Sequence, residues 1–229
     1  MEFTKLSNRL DLVASFVPAG ARLLDVGSDH AYLPIALLQE GKIEAAIAGE
    51  VVEGPYQSAL QNVVDNGLED KIEVRLANGL AAFEPADGIS CITIAGMGGR
   101  LIADILAAGL EKLANVSRLV LQPNNREDEL RAWLVDHDFR LVDEAILEEN
   151  EKFYEILVVE QGSQELTAME LRFGPYLMRE QAPAFVQKWS KEVEKLAFAL
   201  EQVPVENQSA RASLEERIAH IKEVLHVSK

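Results

Sequence analysis

Asp25, Gly27, Ser28, Asp29 and His30 lie together where the apolar run ARLLDV ends and before YLPIALL begins. An acid, small residues and a ring where a strand gives way to a helix suit a nucleotide-like ligand, because glycine there lets backbone approach it closely. A dinucleotide fingerprint needs glycine at three places in that turn. Here only Gly27 is present, and Asp29 would set a negative charge against a pyrophosphate. The turn therefore fits a cofactor without a phosphate pair.

Other polar and glycine residues follow the later β-rich runs: Glu50 and Val51 after EAAIAG, Asn78 and Gly79 after IEVRLA, Gly96, Met97 and Gly98 after SCITIA, and Asn124 and Asn125 after SRLVLQP. In an open parallel sheet the ligand sits beyond the carboxyl ends of the strands, so these positions share one rim. Each has a task if the ligand is S-adenosylmethionine. Gly27 admits the methionine portion, and an acid at that turn, Asp25 or Asp29, meets its ammonium group. Glu50 accepts the ribose hydroxyls, and Asn78 hydrogen-bonds the adenine edge. Taken singly, Glu50 also reads as a surface acid and Asn78-Gly79 as an ordinary turn dipeptide. Their succession along one rim favours the ligand.

The elements that must position them alternate. Five short β-rich runs are separated by helix-length stretches, as in right-handed βαβ units on a parallel sheet. FRLVDEAILEE and KFYEILVVEQ are separated only by a few polar residues and predict an antiparallel hairpin, for seven strands in all. Before the first strand, Leu6, Leu10, Val13 and Val17 recur at helical spacing, ending at Pro18 and Gly20. Near QGSQ the pattern turns wholly helical. Short helices broken at Gly174-Pro175 precede two amphipathic ones. The first carries Phe185, Trp189, Val193, Leu196, Leu200 and Val203, the second Leu214, Ile218, Ile221 and Leu225. That predicts an α/β domain over 1–161 and an antiparallel coiled-coil hairpin over 162–229.

With 229 residues, 48% of them hydrophobic, the chain can bury one such core and a smaller appendage. No apolar run reaches membrane-spanning length, and MEFTKLSNRL lacks the apolar centre of a signal peptide, so a cytoplasmic protein without a membrane partner is expected. Cys91, the single cysteine, lies within ISCITIAG and reads as core. His137, His220 and His226 have no metal-ligand spacing with Cys91 or one another, so no metal is assigned. The net charge of −16 argues against a nucleic-acid partner at face value. Its distribution matters more. Residues 1–161 hold 13 Lys and Arg against 28 Asp and Glu, whereas 162–229 hold 9 against 10, leaving the tail near neutral with cationic clusters of its own.

The stretches LSNRLDLVASFVPAGARLLDVGSDHAYLPIALL, IAGEVVEGPYQSA, ITIAGMGG, LVLQPNNREDELRAWL and EENEKFYEILVVE resemble the bacterial tRNA (adenine-22)-N1-methyltransferases, class I S-adenosylmethionine enzymes. The likeness runs from about residue 4 to 161, and the tail is similar to that family's C-terminal coiled-coil domain. Asn78 stands where aspartate is commoner in such sheets, which bears on adenine binding alone. The resemblance implies a class I Rossmann-like fold, S-adenosylmethionine as cofactor and tRNA as partner. It also implies methylation at N1 of adenine 22. That nitrogen carries a free lone pair at neutral pH, so positioning should dominate catalysis, worth up to roughly 7–11 kcal/mol. Asp29 is the leading candidate to stabilise the cationic product, with His30 and Tyr32 shaping the pocket and Asn124 and Asn125 reaching the base edge. Because N1 lies on the pairing edge, the base must be unpaired or flipped out.

Cations for tRNA would come from Arg172, Arg179, Lys188, Lys191, Lys195, Arg211, Arg217 and Lys222 in the tail, with Arg100 and Arg126 on the rim. A monomer is expected, with a dimer through the tail left open. Two rivals stand beside this reading. One is a class I methyltransferase for a small molecule or protein with a dimerising tail; the other is a non-catalytic α/β scaffold.

Overall fold

The structure, a computed structural model, describes residues 4–226. Helix α1 (Asn8–Phe16) starts where Ser7 Oγ accepts the Leu10 amide and ends before Pro18. Strands and helices then alternate, except that β3 and β4 are joined by two short 3-10 turns (Gly79–Ala82 and Pro85–Asp87) where a helix was expected: β1 (Ala21–Val26), α2 (Tyr32–Gln39), β2 (Ile43–Glu50), α3 (Glu53–Asp65), β3 (Ile72–Leu76), β4 (Cys91–Met97), α4 (Gly99–Ala107), β5 (Arg118–Pro123) and α5 (Glu127–Asp136). Strands β6 (Phe139–Glu149) and β7 (Lys152–Gln161) form the expected hairpin.

The seven strands make one sheet in the order β3-β2-β1-β4-β5-β7-β6. Strands β1 to β5 pair in parallel, and β7 runs antiparallel between β5 and β6. The order reverses between β1 and β4, which opens the ligand crevice at their carboxyl ends. Alternation divides the core. Leu24, Val26, Ile92 and Ile94 face one helical layer, while Leu23 and Cys91 face the other, with Val13 and Val17 of the α1 segment. Burial of each such aliphatic side chain contributes about 1.5–3 kcal/mol. Cys91 is core, as expected, and burial pushes its thiol up to about 12.

The tail comprises α6 (Ala168–Phe173), α7 (Pro175–Glu180), α8 (Pro183–Gln202) and α9 (Gln208–His226). Phe173, Leu177, Phe185, Trp189, Leu196, Ile221 and Val224 form a third core cluster together with Ile146 of β6. The side-chain amide of Gln181 donates to the Val224 carbonyl, closing α9 back on the start of α8.

Beneath the tail lies a charged cluster. Arg131 of α5, fully buried, donates to Glu144 at 2.7 Å, to Glu155 at 2.5 Å and to the Leu171 carbonyl at 3.1 Å. Glu144 also accepts the Tyr176 amide, and Lys188 of α8 spans Glu155 at 2.7 Å and Glu127 at 3.1 Å. Gly174, at φ +82°, is required here: a Cβ would stand 2.7 Å from both Glu144 oxygens and 2.8 Å from Arg131 Nη2. Among the described residues no helix is long and apolar enough to cross a membrane.

Candidate active site

The rim is built from loops that leave regular geometry as each strand ends. After β1 the chain turns through Gly27 at φ +67°, then holds Asp29, His30 and Ala31 at φ 41°, 68° and 59°. Three consecutive side-chain-bearing residues in the left-handed region are costly, and such strain concentrates at ligand sites. The turn is tied down from two sides. The Asp29 amide donates to Glu50 Oε1 at 2.5 Å, and Asn62 Nδ2 donates to the His30 carbonyl at 3.0 Å. A Cβ on Gly27 would lie 2.4 Å from Met97 Cε, so a side chain there would have to displace the end of Met97 as well as adopt the left-handed φ.

Asp25 and Ser28 take a different part from the one expected. Both are buried, and the Asp25 carboxylate accepts Ser28 Oγ at 2.5 Å and Thr93 Oγ1 at 2.6 Å. Asp25 shares its face with Leu23, and its register partner on β4 is Thr93, so the acid points into the sheet layer, where it shapes the turn. Burial pushes Asp25 above the ordinary carboxylate range, and the two hydroxyls offset part of that rise.

Glu50 ends β2, 5% exposed, and burial raises its carboxyl; the Asp29 amide works against that rise. Next to it Val51 is 64% exposed, an aliphatic side chain held out at the rim. The Ala77 amide donates to the Glu50 carbonyl at 2.7 Å and so brings the Asn78–Gly79 turn alongside. Asn78 and Gly79 open a groove of about 350 Å³ that continues past Leu101, Asp104 and Ile105 of α4. A buried acceptor beside an exposed aliphatic residue and an amide-edged groove fit a nucleoside: hydroxyls on the carboxylate, base against the apolar wall. Among the described residues no group of His, Cys, Asp and Glu could hold a metal ion.

On the other side of the crevice, Gly96 (φ +78°), Met97 and Gly98 turn the chain from β4 into α4. The Asn124 amide donates to the Met97 carbonyl at 2.7 Å, and Asn124 Nδ2 to the Gly96 carbonyl at 2.7 Å. Asn125 lies over the glycines, its Oδ1 3.1 Å from where a Gly98 Cβ would be, and the Gly99 amide donates to its carbonyl. Asp29, His30 and Tyr32 form one exposed group. His30 Nε2 is 3.4 Å from Asp29 Oδ1, and the His30 and Tyr32 rings stack at 5.4 Å. Met97, which reaches Gly27, links this group to the Asn124–Asn125 loop.

From that loop a cleft of about 750 Å³ runs to the tail. Its walls include Asn124 and Asn125, Phe153 and Tyr154 of β7, and Trp189 of α8. The expected cations Arg172, Lys191 and Lys195 line it, and so does Lys152, which sequence reading had missed. Arg172 lies over the Phe173 and Trp189 rings and Lys191 over Phe153. Lys188 borders the cleft as well, and the remaining expected cations are placed elsewhere. Lys188 is turned into the ion cluster on Glu127 and Glu155, and Arg211 caps α8 by donating to the Leu200 and Val203 carbonyls. Both are engaged within the protein. Arg126 pairs with Glu129 of its own helix, Arg179 lies over Tyr176, Arg217 meets Glu192 at 3.5 Å, and Arg100 and Lys222 are exposed.

Arg9, Gln122 and Thr93 complete the site; Gln122 falls with the other rim residues at the end of the fifth strand, whereas Arg9 and Thr93 carry no local signal of it. Arg9 Nη1 donates to Gln122 Oε1 across 113 positions of sequence, and Thr93 meets Asp25 across 68.

Comparison with known proteins is consistent along the whole chain. A family model described as tRNA (adenine(22)-N(1))-methyltransferase matches residues 23–223. The Bacillus subtilis tRNA (adenine(22)-N(1))-methyltransferase is 40% identical, covering 98% of this chain and 99% of its own. Streptococcus pneumoniae Sp1610, crystallised in complex with S-adenosyl-L-methionine, superposes with a TM-score of 0.90 at 66% identity, over 97% of this chain and 100% of that one. M. capricolum TrmK, in complex with S-adenosyl-homocysteine, superposes with a TM-score of 0.84 at 28% identity, over 98% and 99%.

Proposed function

The chain belongs to the tRNA (adenine(22)-N(1))-methyltransferase family, and from that premise we propose how its residues divide the work. It is an S-adenosylmethionine-dependent enzyme that methylates N1 of adenine 22 in tRNA. The observation that supports the assignment of roles is the continuous rim from Gly27 through Glu50 and Asn78 to Gly96 and Asn124, which opens on a cation-lined cleft.

S-adenosylmethionine supplies an electrophilic methyl on a sulfonium. Gly27 and the strained turn after it give backbone access to the methionine portion, with Asp25 and Ser28 holding the turn from inside. Glu50 accepts the ribose hydroxyls, Val51 covers one adenine face, and Asn78 and Gly79 meet the adenine edge. Gly96, Met97 and Gly98 form the wall between cofactor and target base.

The target nitrogen needs no base to expose its lone pair, so the chain's task is alignment and charge. Asn124 has one Nδ2 hydrogen and one Oδ1 lone pair left after its bonds to Gly96 and Gln122, so its Oδ1 can accept from the exocyclic amine of the target adenine while the Nδ2 hydrogen is free to donate to an acceptor. Asn125 stands beside it. Asp29 supplies negative charge for the cation that forms, and His30 and Tyr32 flank the base. Arg172, Lys191, Lys195 and Lys152 contact the tRNA backbone, making residues 162–229 an RNA-binding arm. The apolar seam of that arm is buried within the chain, which favours a monomer. We place the enzyme in the cytoplasm, with its tRNA substrate.

The test is incubation of unmodified tRNA with enzyme and S-adenosylmethionine, followed by nucleoside mass spectrometry and mapping. Asp29→Ala, Asn124→Ala and a Lys191→Gln/Lys195→Gln double variant are assayed in parallel. The first two should lower kcat, and the third should raise KM for tRNA and flatten its salt dependence. Three variants with wild-type kinetics would overturn the assignment.

A further inference from the structure

Arg9 is the residue at this site whose position sequence reading does not explain. Helix α1 is fastened at both ends. The Asn8 amide donates to Glu149 Oε1 at 2.8 Å, and Lys42 Nζ donates to the Ala14 and Ser15 carbonyls at its end. Arg9 therefore reaches the crevice from a fixed base. Its Nη1 donates to Gln122 Oε1 at 2.6 Å, and its guanidinium carbon lies 5.5 Å from the centre of the Tyr154 ring. Among the described residues it has no carboxylate partner within ion-pair distance.

Gln122 is fully buried. The oxygen that accepts Arg9 also accepts the Gly96 amide at 3.0 Å, so the opposite rotamer would set its NH2 against two donors. The orientation is thus fixed, and Nε2 must point to the Pro123 carbonyl and to Asn124 Oδ1, at 2.8 Å and 3.1 Å. Asn124 is in turn oriented, its Nδ2 on the Gly96 carbonyl. One cation sets two side-chain amides and, through them, both backbone polar groups of Gly96.

We propose that Arg9 is a positioning residue for methyl transfer: through Gln122 it holds Asn124 and the Gly96 loop in the geometry that presents the target adenine. This rests on the reading of Asn124 as a base contact. Arg9 itself touches neither cofactor nor reacting atoms.

The test is steady-state kinetics of full-length Arg9→Met and Gln122→Met, with S-adenosylhomocysteine affinity by calorimetry and melting temperature as companions. The expected result is a fall in kcat of about 10- to 50-fold, with KM for tRNA and S-adenosylhomocysteine affinity within about threefold of wild type. Arg9→Met should add less than about twofold to Asn124→Ala, because the two act in one chain. An unchanged kcat overturns the inference. So does a rise in KM for tRNA at constant kcat, the mark of a phosphate contact. So does a joint loss of kcat, cofactor affinity and melting temperature in both variants, the mark of mere helix docking. Asn124→Ala separates the two readings. If it leaves kcat intact, the base-contact reading fails; if it lowers kcat while Arg9→Met does not, only the positioning inference fails.

Discussion

The crevice rim and the joint beneath the tail both gather charged side chains, and they treat them oppositely. At the rim Asp29 is 82% exposed on a left-handed turn, Val51 stands out beside Glu50, and Asn124 keeps hydrogen-bonding capacity to spare. At the joint Arg131, Glu144 and Glu155 are sealed from solvent, and their bonds are directed at one another and at the Leu171 and Tyr176 backbone. Unspent capacity and backbone strain mark a surface prepared for a ligand. Complete satisfaction marks one that holds parts in place.

Removing Arg131 should therefore give the largest effect in stability. Arg131→Met leaves two buried carboxylates facing each other and is expected to cost about 3–5 kcal/mol by urea unfolding, with cofactor affinity of the folded protein within about twofold. Loss of cofactor affinity as the main effect would erase the contrast between the regions. Glu50→Ala works the other way round. It should weaken S-adenosylhomocysteine binding by about 10- to 100-fold in calorimetry, the loss of charged hydrogen bonds worth about 1.5–3 kcal/mol.

Gly27→Ala comes next. Its left-handed backbone costs a side chain about 1–2 kcal/mol, so cofactor affinity should fall by about tenfold while Met97 yields to the new methyl. Retained affinity would remove the cradle from the site.

The smallest effect is in pH. Burial raises Asp25, so its contribution to stability is full below the ordinary aspartate value of about 4 and is lost as pH rises through its folded value. Glu155 has the opposite sign. Burial alone would raise it, but Arg131 and Lys188 outweigh burial and hold it low, so its contribution is present above the ordinary glutamate value and lost on acidification. The melting temperature of Asp25→Asn, relative to wild type, should accordingly climb as pH rises above the ordinary aspartate value of about 4. A flat difference would show that Asp25 does not titrate with folding.

What could be read beforehand follows the same division. The strand-turn-helix order, the seven strands, the break at Gly174-Pro175 and both long helices were legible, because periodicity and turn chemistry act over neighbouring residues. The places of Glu50, Gly27 and Asn78 on the rim were legible for the same reason: Glu50 ends a strand and the other two follow one within two residues. Asp25 was read as a ligand residue, yet strand alternation turns it inward to Thr93, a pairing that depends on which strand lies alongside. Arg9 and Gln122 meet only after α1 crosses the sheet. Lys188 was read as a cation for tRNA, and only its carboxylate partners on α5 and β7, distant in sequence, turn it inward.

The placement of β7 between β5 and β6 has a consequence for synthesis. A nascent chain that has released β5 exposes an unpaired strand edge until residues 152–161 have emerged, and Glu155 then has Arg131 as its one cation until Lys188 arrives from the ribosome. The open edge makes that interval the hazardous one for misassembly, before the last helices close over the sheet.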